Sequence, residues 1–479
     1  MDIRKVSVAA AALCLATGSL YALSTEKVKL NGNMTLEYLK TPGSAESFKE
    51  MFSEGMLYGR LRMNTFYYDY DHEDATHIDN RAMGIGGSLV YKTAAWAGVS
   101  ATVGLYTSQN PEFFREDKID VGLVKSGKDT FSRNDIKNGG TYDGHYGMTV
   151  LGQAYLQYDI SKTTVVAGRQ LFESVFTASN DTKMIPNTFD GVSVTTRDIP
   201  DTKVQLAYFT AQKLRDHTDA HDVIAYSSWD ENDDSAVNKS LTPQLVGTNN
   251  ELIIAGVTNT SVPNLKVSVS YALVPDVLGN LTLEGHYKIP VGAGWSLTPG
   301  VRYMKQMDEL GTLNDVANLG GDTTGYTDPN SLDGSMIAAR VDVKNGPLLV
   351  RLGYSKISDD ADLVTPWRGF PTGGYTRAMA QYNWYANTES EMLQVDYDFG
   401  KAGVVKDFKV SARYAIQDFD DRKSKVQADS DILHVDIIKG LSKDLEMKIR
   451  LATVDYDPGN TGKTDASYNE YRLEFNYFF

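Results

Sequence analysis

One cysteine, Cys14, stands in 479 residues, and it falls within the first two dozen. Leu13 occupies the place where a lipid-modified cysteine would be preceded by a small residue, so a lipoprotein is not expected. The rest of the chain lacks cysteine altogether, which excludes a disulfide-stapled secreted domain. Long apolar runs are also missing. Beyond residue 22 no stretch approaches the roughly 20 apolar residues that a spanning helix needs. Proline is sparse, at 14 residues, and no proline-rich linker or low-complexity tract divides the chain. One large domain is therefore expected, despite a length that would allow several.

The opening MDIRKVSVAAAALCLATGSLYALS carries Arg4 and Lys5, then a short apolar stretch from Val6 to Leu20, then Ala22. This order marks residues 1–22 as a secretory signal peptide. Basic residues are in deficit. Without Arg4, Lys5 and Asp2 the 47 basic and 62 acidic residues become 45 and 61, a net charge of −16. Such a charge disfavours nucleic acid as a partner. Much of the acid gathers in YDYDHED (68–74) and DENDD (230–234), which read as exposed loops.

What the chain has is alternation. In SYNEYRLEFNYFF, at the end of the chain, Tyr471, Leu473, Phe475, Tyr477 and Phe479 alternate with Glu470, Arg472, Glu474 and Asn476. A period of two specifies a strand with one apolar and one polar face. Alternation of this kind predicts strands over 54–69, 82–93, 97–108, 149–159, 163–170, 189–197, 202–212, 251–259 and 265–274. It continues over 280–288, 294–305, 335–343, 347–357, 391–399, 407–417, 430–438, 444–454 and 467–479, eighteen in all.

The connections are sorted by length. Short ones (94–96, 160–162, 198–201, 260–264, 289–293, 344–346, 400–406, 439–443) alternate with mostly long ones (70–81, 109–148, 171–188, 213–250, 306–334, 358–390, 418–429, 455–466). Only 275–279 is short where a long one is due. A sandwich has no reason to sort its loops. A transmembrane antiparallel up-and-down β-barrel does, with short periplasmic turns and long extracellular loops. The barrel domain is expected over 54–479 in the bacterial outer membrane, its apolar parity facing lipid. Tyr477 and Phe479 then form the C-terminal assembly signal.

The opposite parity faces a watery lumen. It places Arg60, Arg62, Arg302, Arg340, Arg351, Lys409, Arg413, Lys448, Arg450 and Arg472 on one inner arc of almost consecutive strands. Glu284, Asp342, Asp396, Asp398, Glu446 and Glu474 also point inward. A basic arc facing acids sets a transverse field that holds anions on one side of a narrow pore. Arginine suits this work, because its guanidinium gives a carboxylate two parallel hydrogen bonds and stays charged.

VAGRQLFESVFTASNDTKMIPNTFDGVSV (165–194), GRLRMNTFYYDY, GFPTGGYTR (369–377), LQVDYDFG, SARYAIQD and DLEMKIRLATVDY together resemble the OprD family of Gram-negative outer-membrane porins. The resemblance spans nearly the whole mature chain. It implies eighteen strands, with loops 171–188 and 358–390 folded inward. It also implies passage of small water-soluble solutes, commonly carboxylates such as amino or organic acids, past basic lumen residues. Carried over, it puts Ser179, Asn180, Asp181, Lys183 and Pro186 near the constriction, and Gly373, Tyr375 and Arg377 there too. The long, acidic connections 109–148 and 213–250 depart from better-known relatives and put the substrate preference in question. The segment 23–53 fits a periplasmic extension, an inserted plug or a nineteenth strand.

Enzyme signatures are lacking. His72, His77, His145, His217, His221, His286 and His434 are scattered, and His217 with His221 has no partnering glutamate of an H-E-x-x-H motif. No nucleophile elbow or phosphate-binding loop sits between a strand and a helix. DENDD lacks the glycine and terminal glutamate of a calcium loop. The expectation is a passive porin without cofactor or bound metal. Its partners would be outer-membrane lipid, lipopolysaccharide, the barrel assembly machinery and small solutes, and the barrel a monomer or loose trimer. A non-selective porin, a barrel-embedded enzyme and a structural anchor are the alternatives.

Overall fold

The computed structural model describes residues 28–479 apart from 75–76, 117–122, 124, 131–144, 227–237, 312–313, 380–381 and 460. The expected signal peptide and the DENDD run lie outside the described residues.

Eighteen long strands form the wall. The first nine are β1 (Met56–Tyr70), β2 (Asn80–Lys92), β3 (Val99–Gln109), β4 (Gly147–Ile160), β5 (Thr163–Gln170), β6 (Thr188–Thr196), β7 (Thr202–Lys213), β8 (Leu252–Asn259) and β9 (Leu265–Val274). The second nine are β10 (Leu278–Tyr287), β11 (Trp295–Asp308), β12 (Gly334–Asn345), β13 (Leu348–Ile357), β14 (Glu389–Asp398), β15 (Phe408–Asp418), β16 (Asp429–Gly440), β17 (Leu445–Asp457) and β18 (Tyr468–Phe478). Each pairs antiparallel with its sequence neighbour, and β18 pairs with β1 to close the barrel. Closure leaves no wall strand with an unpaired edge, the condition for a sheet to stand in hydrocarbon. The seam is finished by Phe479, whose N–H donates to the Gly59 carbonyl (3.1 Å) while its own carbonyl accepts from Gly59 N (3.0 Å).

The alternation fixes which face is which. Along β1 Leu57 and Leu61 are exposed while Arg60, Arg62 and Asn64 are buried. Along β18 Tyr471 and Tyr477 are exposed while Glu470, Glu474 and Asn476 are buried. Leu352, Leu393, Leu433 and Leu451 continue the exposed apolar face on β13, β14, β16 and β17. The exceptional short connection is a tight turn, with Val277 N donating to Val274 O and Asp276 at φ 61°.

The lumen is far from uniform. Between β6 and β12 the wall turns apolar side chains inward near the loop end, among them Phe209, Ile254, Met304 and Met336. These pack with Phe176, Val223, Leu319, Trp367 and Trp384 from four long connections into one buried cluster. Folded loops thus fill that sector of the barrel. The sector from β13 through β18 to β1 carries an open space of about 810 Å³, and a smaller space of about 370 Å³ lies against β3–β7.

Ahead of the wall, Ser47 caps the short helix Phe48–Ser53 by accepting from Glu50 N. Before it, Val28–Leu30 pairs antiparallel with Leu36–Tyr38 in a hairpin. Its tip reaches the lumen, where Met34 O accepts from buried Arg60 (2.9 Å) and Asn33 O from Asp181 N (2.8 Å).

Candidate solute channel

Two long connections meet across the lumen. In 171–187, Ala178 N donates to Trp367 O (3.0 Å), and Gly369 N donates back to Phe176 O (2.9 Å). Thr177 and Arg368 form an antiparallel bridge between them. A Cβ on Gly369 would overlap the Phe176 backbone, so only glycine allows this crossing. Loop 358–388 then docks on the wall: Arg302 Nη1 donates to the carbonyls of Pro371 (2.7 Å) and Gly373 (3.2 Å), and Arg340 to that of Gly374 (2.7 Å). The Tyr375 ring lies under both guanidiniums, 4.8 Å from Arg302 and 5.2 Å from Arg340.

The third-loop residues divide into holders and liners. Asp181 is held by Arg60 and, at 2.7 Å, by Arg62, whose Nε also donates to Glu474 (2.6 Å). Arg60 is only 1% exposed. Both arginines therefore clamp the loop rather than face solute, a role that parity alone does not reveal. Ser179 is fully buried, and its hydroxyl accepts from Phe172 N (3.0 Å). Asn180 Oδ1 accepts from Arg215 (3.1 Å), and Lys183 pairs with Asp216 at 2.7 Å. Burial pulls the Lys183 ammonium down to about 8 against the opposing pull of Asp216, whose carboxyl is held well below its usual range by Lys183 and Lys128. Pro186 lies on a separate cavity.

An open volume of about 810 Å³ runs from Lys344 and Lys401 at the turn end to Lys128, Arg215 and Arg377 on the loops. Among the described residues, eleven lysines and arginines and three aspartates line it. That excess of cations is notable in a chain of net charge −15. Lys409, Arg413, Lys448, Arg450 and Arg472 come to it from the predicted arc. A smaller cavity of about 360 Å³ abuts it, with Phe370, Arg377, Gln394 and Arg413 on both. Among the described residues, five arginines line the smaller cavity (302, 351, 368, 377 and 413) and no carboxylate does.

Most arc cations are matched by fixed acids. Arg302 pairs with Glu284 (2.7 Å), which also meets His286. Arg351 grips Asp342 through two bonds of 2.6 and 2.8 Å, and Arg340 stands 3.8 Å from the same carboxylate. Arg450 pairs with Asp436 (2.7 Å), with Lys448 3.7 Å away. Lys409 lies 3.5 Å from Asp398, and Arg472 is held by Glu470. Asp396 accepts from Gln394 and Ser411. Arg413 differs. Its Nε donates to the neutral Gln394 oxygen (3.1 Å), and no carboxylate among the described residues forms an ion pair with it. The register sets Arg351, Gln394, Arg413 and His434 directly side by side on four successive strands.

Parity reasoning passed over Asp436 and His434, although HVDIIKG carries the same signal, with Leu433 and Val435 on the other face. Lys128, Arg215 and Arg368 lie on connections, where no period exists to place them. The histidine pair packs with Tyr226, which stacks on His221 at 4.0 Å. No group of three His, Cys, Asp or Glu side chains is placed to hold a metal among the described residues.

A closed eighteen-stranded antiparallel barrel with an apolar outer face and an infolded-loop constriction defines the class: an outer-membrane porin. The family model for outer membrane porins of the OprD family matches residues 118–479, and the chain belongs to that family. Among solved structures it is similar to Pseudomonas aeruginosa OccK9 (OpdG), with 17% identity over 90% of this chain and 99% of that one, TM-score 0.66. It is also similar to Acinetobacter baumannii OccAB3 (18% identity, 88% and 99% covered, TM-score 0.66). A third likeness is to Pseudomonas aeruginosa OpdK with vanillate (15%, 88% and 98%, TM-score 0.63). No curated protein sequence matches the chain.

Proposed function

We propose that this porin conducts small carboxylate-bearing solutes, organic or amino acids, passively along its cationic sector. The observation that carries the reading is Arg413, a lumen arginine with no ion-paired carboxylate among the described residues, set where two cation-rich cavities meet. Fixed acids neutralise its neighbours and hold them in place. A solute carboxylate supplies to Arg413 what the protein does not, two charge-assisted hydrogen bonds in fork geometry. Lys409, Lys448 and Arg450 offer weaker, shared charge towards the turn end. Several weak contacts in series let the solute bind and also leave. OpdK, which shares the fold, was solved with vanillate, itself a carboxylate.

The test uses protein reconstituted in planar bilayers with single channels open in dilute chloride. Acetate, benzoate, succinate and glutamate added in turn should produce brief blocks that an equal concentration of a neutral sugar does not. Equal responses to charged and neutral solutes would favour a non-selective porin.

A further inference from the structure

The hairpin Val28–Leu30/Leu36–Tyr38 lies where two lumenal cavities of different chemistry approach each other. Its Gly32 and Asn33 line the 810 Å³ basic cavity, while Thr35, Leu36 and Tyr38 line a second cavity of about 370 Å³. The facing loop residues divide in the same way, with Asn180 and Thr182 on the first side and Asp181 on the second. Hairpin and loop are joined along this line. Asp181 N donates to Asn33 O, Arg60 to Met34 O, and Asn33 Nδ2 to Glu173 Oε1 (3.0 Å). Behind the tip, Tyr38 stacks on Tyr58 at 4.0 Å, and the Tyr58 hydroxyl donates to Lys40 O (2.6 Å).

The two spaces differ in charge. The second is walled largely by tyrosines, glutamines and hydroxyls such as Tyr106, Gln153 and Ser193. Its charged liners are Arg60 and Lys203 against Glu173 and Asp181, an even balance in which Arg60 and Asp181 neutralise each other.

We propose that the N-terminal hairpin is a specificity-determining partition: it seals the charge-balanced cavity from the basic one and confines solute to the cationic path. This rests on the anion-conducting reading above and adds the element that enforces it. The wall from β3 to β7 has no comparable cationic surface, so a lumen without the hairpin would offer ions of either sign a second route. Two of the three tip bonds are accepted by backbone carbonyls. The partition therefore depends on the path of residues 31–35 more than on their side chains.

Cys14, in the expected signal peptide, is the chain's one cysteine, and a Cβ at Gly32 meets nothing within 4 Å, so Gly32→Cys in a Cys14→Ser background adds a single thiol on the basic side. An anionic methanethiosulfonate reagent applied to single channels of the full-length variant should cause a stepwise loss of conductance and of anion preference. Unchanged current after confirmed labelling would place the tip off the conducting path and overturn the proposal. Deleting residues 28–38 should raise single-channel conductance above that of the parent and lower the anion/cation permeability ratio, because ions then enter the charge-balanced cavity as well. A deletion channel matching the parent in both properties would also overturn it, and if the deletion does not fold, the cysteine experiment decides alone. A parent channel without anion preference would refute the proposed function. The conductance readings would still judge the partition.

Discussion

Arg60 and Arg413 both face the lumen, yet their surroundings give them opposite work. Arg60 is buried against Asp181, and removing one partner of a buried ion pair costs about 3–5 kcal/mol because the other charge is stranded. Arg60→Ala is therefore expected to loosen loop 171–187, seen as faster protease cleavage within it and noisier single-channel current. Arg413→Gln strands no fixed carboxylate. It should leave heat-modifiable barrel folding intact while weakening carboxylate block at least about tenfold, since the glutamine amide can replace only one of the two charge-assisted bonds and each is worth about 1.5 kcal/mol or more. Lys183 adds a pH dependence. Burial draws its pKa down to about 8, so it is a cation below that pH and neutral above it. The anion preference should decline as pH rises from 7 to 9, read from reversal potentials, and Lys183→Met should flatten that decline.

At the scale of elements, strands were legible and loop paths were not. A wall strand meets lipid on one face and water or packed loop on the other, so every second residue reports its position, and all eighteen predicted strands have a counterpart. β1 runs Met56–Tyr70 against an expected 54–69, and the residues before it form a capped helical turn that carries no period of two. The loops obey no such rule. Phe176 meets Gly369, and Asn33 meets Asp181, across more than a hundred residues of chain, and nothing local specifies either contact. The apolar filling between β6 and β12 also escaped the assumption of a uniformly polar lumen, because residues such as Phe209 and Met304 face loops instead of water. The crossing of the two loops gives a prediction of its own. Gly369→Ala forces the Phe176 backbone aside, an overpacking cost of about 1–3 kcal/mol. The wall should persist, with unchanged heat modifiability, while conductance rises or fluctuates as the loops part.

At the scale of the molecule, an acidic chain shelters a basic path. The fold fills the sector between β6 and β12 with loop side chains and leaves open a larger space where arginines and lysines converge, beside a smaller charge-balanced one. The fixed acids hold most of those cations in place, and on the proposed reading the surplus is what a passing anion meets. The central claim is tested most directly by the reversal potential of the reconstituted wild-type channel in a tenfold potassium chloride gradient at pH 7. The account predicts a sign showing chloride more permeant than potassium, moving towards zero in Arg413→Gln. A cation-selective potential, unaltered by that substitution, would contradict it.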